Sequence, residues 1–197
     1  MTLTVILLAA GNSRRFGGNK LLYEWKGQSL FFCTLERYRQ IGDQRIVVTC
    51  YPQIAAAADR FQVVHNPDSS LGISHSLQLG LMAAPESDAY LFGVCDQPNM
   101  KESTVRQFTG GYAGCEKGIG CCSHGGVPGN PVIFSRSYIP ELMSLRGDCG
   151  GRQILKRHLD DVWYYEVEAP AELADIDTRD ELRKIIEKGE DRNPARK

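Results

Sequence analysis

Four apolar runs of strand length, at residues 3–9, 45–50, 62–65 and 89–94, are separated by segments whose apolar residues recur at helical spacing. This alternation implies a mainly parallel sheet flanked by helices, an α/β fold. Helices are expected over 29–41, opened by a capping Ser29, over 52–61 with its four consecutive alanines, and over 74–84. A further helix is expected over 101–108, opened by Pro98 and closed by Gly110-Gly111. The pattern then loosens into a Gly/Cys-rich stretch from 110 to 129. After it come a short strand over 131–134, helices over 139–145 and 151–158, a late strand over 162–167 and a closing helix over 178–188.

A chain of 197 residues favours one domain. No repeat or linker divides it, so the expected boundaries are a domain over 1–189 and a mobile charged tail over 190–197. Lys+Arg 23 against Asp+Glu 24 leaves a net charge of -1, without the basic footprint of a nucleic-acid binder or a polybasic membrane anchor. The seven cysteines are odd in number and no secretory start precedes them, which points to reduced thiols and a cytoplasmic protein. The run Val5-Ile6-Leu7-Leu8-Ala9-Ala10 lacks a basic stretch before it and is followed by Arg14-Arg15, so it reads as a buried strand rather than a signal core. No apolar run approaches the ~20 residues of a membrane span. The 20 glycines are clustered, which points to shaped loops.

One cluster lies directly after the first strand: Leu8-Ala9-Ala10-Gly11-Asn12-Ser13-Arg14-Arg15-Phe16-Gly17-Gly18-Asn19-Lys20. In an open α/β sheet, ligands bind beyond the carboxyl ends of the strands, where this loop must lie. Glycine lets backbone N–H groups approach a phosphate, and Arg15 and Lys20 add charge suited to a triphosphate. The P-loop spacing is not met, because Asn19 precedes Lys20 and Leu21 follows it, and Gly-x-Gly-x-x-Gly is absent. An ordinary glycine-rich turn is the alternative for a lone cluster.

The stretch resembles the signature Leu-Ala-Ala-Gly-x-Ser-x-Arg-Phe/Met-Gly-x-x-Lys of the molybdenum cofactor nucleotidyltransferases, with every fixed position met. The resemblance implies a single-domain, Rossmann-like three-layer sandwich of the glycosyltransferase-A type. It also implies nucleotide binding by Leu8, Ala9, Ala10, Gly11, Asn12, Ser13, Arg15 and Lys20. Asn66-Pro67 and Gly72-Ile73-Ser74-His75-Ser76 would cap a helix by default. This stretch is similar to the family's Gly-Met-Ser-x-Ser segment, which assigns Asn66, Gly72, Ser74 and Ser76 to base and ribose; His65 and His75 lie outside that pattern.

Asp96, in Gly93-Val94-Cys95-Asp96-Gln97-Pro98, follows the fourth strand and faces the same crevice. A carboxylate there suits Mg²⁺, with capping of the next helix as the structural alternative. The match to Gly-x-x-Asp-Gln-Pro implies the metal role. Asp175-Ile176-Asp177-Thr178 resembles the family's Asp-Ile-Asp-Thr-Pro with Arg179 in place of proline, and offers Asp177, then Asp175, as second ligand. Gly129-Asn130-Pro131 and Gly147-Asp148-Cys149-Gly150-Gly151-Arg152 are similar to the family's acceptor segments. They nominate Gly129, Pro131, Gly147, Asp148, Gly150 and Arg152 for a phosphate such as that of molybdopterin, against a reading as two helix-entry turns. Cys115, Cys121, Cys122 and His124 lack zinc spacing and read as loop thiols.

The function implied is Mg²⁺-dependent transfer of CMP from CTP to molybdopterin or the molybdenum cofactor. Lys20, Arg15 and Asp96 are the catalytic candidates, and a molybdenum hydroxylase is the partner enzyme. CTP is favoured because Ala10 matches the cytidylyl branch, Leu-Ala-Ala-Gly, whereas the guanylyl branch has Leu-Ala-Gly-Gly. Alternatives are a guanylyltransferase, a cytidylyltransferase for another phosphorylated small molecule, and a non-catalytic nucleotide-binding accessory protein.

Overall fold

The computed structural model describes residues 1–25 and 27–190. The elements in chain order are β1 (Leu3–Leu8), a hairpin of β2 (Glu24–Trp25) and β3 (Gln28–Ser29), α1 (Leu30–Tyr38), β4 (Gln44–Thr49), α2 (Pro52–Ala57), β5 (Gln62–His65), α3 (Ile73–Ala83) and β6 (Ala89–Val94). They continue with α4 (Glu102–Ala113), β7 (Ile119–His124), β8 (Val127–Ser135), α5 (Ile139–Ser144), α6 (Arg152–Arg157), β9 (Val162–Glu166) and α7 (Arg179–Glu190). Among the described residues a seven-stranded sheet runs β5-β4-β1-β6-β8-β7-β9. Within it only β8 is antiparallel to its neighbours, so the sheet is mostly parallel.

Side chains alternate across each strand, and the two faces build separate cores. Val5, Leu7, Val47 and Leu91 pack with Phe31, Leu35, Ile54, Val105 and Phe108 from α1, α2 and α4. Ile6, Ile46, Val48, Tyr90 and Phe92 pack on the opposite face with Leu77, Leu81, Leu142, Ile154 and Leu155 from α3, α5 and α6. The result is the three-layer α/β/α sandwich. A third cluster of Phe16, Trp25, Leu30, Ile176 and Leu182 ties the glycine loop and the β2–β3 hairpin to α7.

Most boundaries fall where local chemistry puts them. Ser29 caps α1 by accepting a hydrogen bond from the Phe32 N–H at 3.2 Å. Helix α2 stops at Ala57, short of 61, because Ala58 leaves helical geometry at φ -83°, ψ 48°.

Two expectations are corrected. Gly110-Gly111 does not end α4, which continues to Ala113 and carries the buried Tyr112. A Cβ at Gly111 would come within 2.7 Å of the Trp163 ring, so this glycine makes room for a neighbour inside the helix. The Gly/Cys-rich stretch is likewise no loose loop: it holds β7, a turn at Gly125-Gly126 and the start of β8. Cys121 and Cys122 are therefore buried strand residues, not loop thiols, and burial pushes the Cys121 thiol up to about 11 and raises Cys122 further. No helix among the described residues is long and apolar enough to cross a membrane. The tail expected to be mobile lies, from residue 191 onward, outside the described residues.

Candidate active site

Strand β1 is where the connection order reverses: β4 pairs on one side of it and β6 on the other. Such a switch point opens a crevice at the carboxyl edge of the sheet. Leu8 is in register with both Val48 and Val94, so the glycine loop leaves the sheet beside the segments that follow β4 and β6. A cleft of about 930 Å³ occupies this edge. Its walls include Leu8, Ala10, Gly11, Asn12, Ser13, Arg15 and Lys20 from the loop, Asp96 from the end of β6, and Asp175 and Asp177 from the segment before α7.

Lys20 is the hub of these charges. Its Nζ donates to Asp96 Oδ2 at 2.7 Å and to the Ile176 carbonyl at 2.7 Å, and it lies 3.5 Å from Asp177 Oδ1. The Arg15 guanidinium pairs with Asp177 Oδ2 at 2.8 Å from an exposed position. The Ile176 N–H in turn donates to the Asp96 carbonyl at 2.9 Å, which fastens the 175–177 segment to the end of β6. Two cations and two carboxylates, drawn from three distant parts of the sequence, thus meet at one point.

The third carboxylate has a different setting. Asp175 accepts a 3.0 Å hydrogen bond from Gln97 Nε2, which also donates to the Leu173 carbonyl. Loss of water around the carboxyl group, and then the neighbouring Asp96, push Asp175 up to about 6. Cys95 lines the cleft as well, and burial, followed by Asp96, raises its thiol.

The site's fit for a divalent ion can be judged from its donors. Asp96 Oδ1 is buried and has no hydrogen-bond partner, an unusual state for a carboxylate oxygen and one that a cation would relieve. No group of three or more His, Cys, Asp or Glu side chains among the described residues is placed to hold an ion by itself. The unpartnered oxygen, in a cleft that Asp175 and Asp177 also line, fits a divalent ion held by one or two carboxylates and completed by water and substrate phosphates.

The remaining predicted residues divide. Gly72 and Ser76 line the cleft, and so do Gly147 and Asp148. Gly72 takes φ 90°, and a Cβ there would meet the Gly147 carbonyl group at 2.4 Å. The two loops could not approach so closely with any other residue.

Ala9, Asn66 and Ser74, which the resemblance assigns to the nucleotide, are buried and do not line the cleft. Asn66 Nδ2 donates to Ser76 Oγ at 2.9 Å, and Ser74 Oγ donates to the Gly147 carbonyl at 2.8 Å. Gly129, Pro131, Gly150 and Arg152 do not line the cleft; Gly129 and Pro131 belong to β8, where Gly129 packs against Leu173. The wall from Ser69 to Leu71, together with Leu21, Ile73 and Val94, is not among the residues that sequence reasoning finds. Ser69–Leu71 forms a short 3-10 turn with no periodic pattern to reveal it.

A glycine loop, a lysine bridging two acidic residues and a carboxyl-edge cleft on this sheet define a nucleotidyltransferase. The model of the MobA-like NTP transferase domain matches residues 5–162, and the chain belongs to this family. It is 24% identical over 182 residues to the molybdenum cofactor cytidylyltransferase of Escherichia coli strain K12, covering 90% of this chain and 92% of that protein. It is 26% identical over 196 residues to a probable molybdenum cofactor guanylyltransferase of Bacillus subtilis strain 168, covering 93% and 94%. A Mycobacterium tuberculosis H37Rv protein whose crystal structure is a complex with manganese superposes with a TM-score of 0.79 at 27% identity, covering 95% of this chain and 99% of that one.

Proposed function

We propose that the protein transfers CMP from CTP to the terminal phosphate of molybdopterin or its molybdenum form and releases pyrophosphate. The observation that carries this reading is the Lys20–Asp96–Asp177 junction beside the glycine loop, with one Asp96 oxygen unpartnered. An oxygen of the acceptor phosphate attacks the α-phosphorus in line, the bond from that phosphorus to the bridging oxygen breaks, and pyrophosphate leaves. The attacking phosphate is already ionised, so no strong base is needed, and catalysis rests on positioning and charge neutralisation.

Lys20 and Arg15 exchange their carboxylate partners for the triphosphate and orient it. Asp96, with Asp177 or Asp175, would hold Mg²⁺, which when bound neutralises phosphate charge. Gly147 and Asp148 stand across the cleft beside Gly72, on the side assigned to the acceptor. The partner enzyme, a molybdenum hydroxylase in this reading, receives the product after transfer.

CTP is favoured over GTP by Ala10, which lines the cleft and matches the cytidylyl branch of the resembled family. Similarity to relatives named for either nucleotide does not choose between them. The test is pyrophosphate release from CTP, GTP, ATP and UTP with Mg²⁺, with and without molybdenum cofactor. Acceptor-dependent release from CTP alone supports the proposal, and release from GTP alone replaces it with guanylyl transfer. No release from any nucleotide by folded protein given intact acceptor leaves another acceptor, or the accessory role, as the better reading.

A further inference from the structure

The residues that follow β4 make an unusual set of contacts with the glycine loop. Three consecutive side chains donate to three consecutive loop carbonyls: Thr49 Oγ1 to Ala9 O at 3.0 Å, Cys50 Sγ to Ala10 O at 3.8 Å and Tyr51 Oη to Gly11 O at 2.9 Å. On the return limb of the same loop, Arg179 Nε donates to Phe16 O at 3.1 Å and Arg179 Nη2 to Gly17 O at 3.3 Å. The guanidinium also lies over the rings of Phe16 and Tyr23, at 5.8 and 5.2 Å from their centroids. Five carbonyls of one loop are therefore held by side chains from two other parts of the chain.

In a trans peptide the N–H points opposite to the carbonyl of the same unit. The loop's peptides are trans, because the chain's cis bond among the described residues is at Asn130-Pro131. With the carbonyls of 9, 10 and 11 turned toward residues 49–51, the N–H groups of Ala10, Gly11 and Asn12 point the other way. That direction is the cleft: Ala10, Gly11 and Asn12 line it, and Thr49, Cys50 and Tyr51 do not. Ser13 then takes a left-handed conformation at φ 46°, which keeps the chain curling as an amide nest for an anion requires. An extended loop would alternate its carbonyls between the two sides and present only every other amide.

We propose that Thr49, Cys50, Tyr51 and Arg179 are positioning residues for a triphosphate: the first three hold the carbonyls of 9–11 from outside so that the amides of Ala10, Gly11 and Asn12 face the cleft, and Arg179 anchors the return limb that carries Arg15 and Lys20 into it. The inference rests on the nucleotide reading of that cleft. It accounts for arginine at 179, where the resembled family has proline, because proline has no side-chain donor for the Phe16 and Gly17 carbonyls. None of the four touches substrate; each acts through the backbone it orients.

Tyr51→Phe removes one hydroxyl from the edge of the molecule, and Arg179→Met keeps an apolar stem over Phe16 while removing both donors. Calorimetric titration with inorganic triphosphate and with CTP and GTP, in the presence of Mg²⁺, is expected to show about tenfold weaker binding for each variant. Denaturant unfolding midpoints are expected to stay close to wild type, and Arg179→Lys to recover part of the loss. Variants that bind inorganic triphosphate as tightly as wild type would overturn the positioning role. So would a loss that vanishes once the unfolded fraction is subtracted. Wild-type protein that binds none of the three ligands overturns the nucleotide reading itself, and the positioning role with it.

Discussion

The sheet has two halves that solve the same packing problem with different residues. In β5-β4-β1-β6 the core is built mostly from Val, Ile and Leu, joined by Tyr90 and Phe92 of β6, and the strand ends carry the charged cleft. In β8-β7-β9, glycine and cysteine of β7 are set against rings beside the buried Ile119, Val132, Ile133 and Val162. Phe108 stacks on Trp163 with centroids 5.8 Å apart at an interplanar angle of 4°, Tyr165 lies 5.9 Å from Phe108, and a Cβ at Gly120 would meet Tyr112 at 2.7 Å. Both halves bury their inner side chains, and the charged cleft lies at the strand ends of the first. The difference shows that chemistry and stability are carried by separate parts of one sheet, and it can be broken by substitutions that should affect one and spare the other.

The largest effect is expected on the charged side. Asp96→Ala removes the carboxylate that pairs with Lys20 and supplies the unpartnered oxygen. Turnover should fall by about 10²–10³ or more, the range for deleting one preorganised electrostatic group. The protein should still fold, because Lys20 keeps the Ile176 carbonyl and Asp177 as partners when Asp96 is removed. Pyrophosphate release and a denaturant curve on the same sample decide it: near-normal turnover removes Asp96 from the mechanism, and collapse of the fold makes it structural.

The converse substitution lies on the ring-packed side. Gly120→Ala forces a methyl group against the buried Tyr112 ring, with Phe108 at 3.4 Å behind it. Overpacking of this kind costs about 1–3 kcal/mol. Denaturant unfolding should show that loss, while triphosphate affinity per folded molecule stays at the wild-type value. A weakened affinity would mean that the two halves are coupled and that the comparison fails.

The same contrast governs what the sequence could reveal. The four parallel strands were legible because short runs of branched aliphatic residues between turn residues suit little besides a buried strand, and Asp96 was legible because it follows such a run. The meeting of Lys20, Asp96 and Asp177 was approached through separate motifs, but their bonding could not be read, since it depends on the Ile176 N–H docking on the Asp96 carbonyl. β7 was not legible because Ile-Gly-Cys-Cys-Ser-His has no aliphatic run, and its burial is set by rings supplied from α4 and β9. The residues alone suggest helix capping for Asn66 and Ser74, and the family resemblance assigns them to base and ribose. In the fold their side chains are turned instead to Ser76 and to the 147 carbonyl.

Gly110-Gly111 gives the smallest and sharpest test, because one dipeptide holds both meanings of glycine within α4. At Gly111 a Cβ would strike Trp163 at 2.7 Å, whereas at Gly110 it would meet nothing within 4 Å. Gly110→Ala should therefore stabilise the protein by about 0.5–1 kcal/mol, by removing the backbone entropy that glycine loses in a helix. Gly111→Ala receives the same helical gain but must displace the indole, so its net effect falls below that of its neighbour and turns unfavourable if the Phe108–Trp163 stack cannot yield. Thermal unfolding of the two single variants side by side separates the cases. Equal stabilisation of both would show that the indole moves freely and that the second half of the sheet is not held by ring packing. Destabilisation by Gly110→Ala would restore the reading of this pair as a helix terminator.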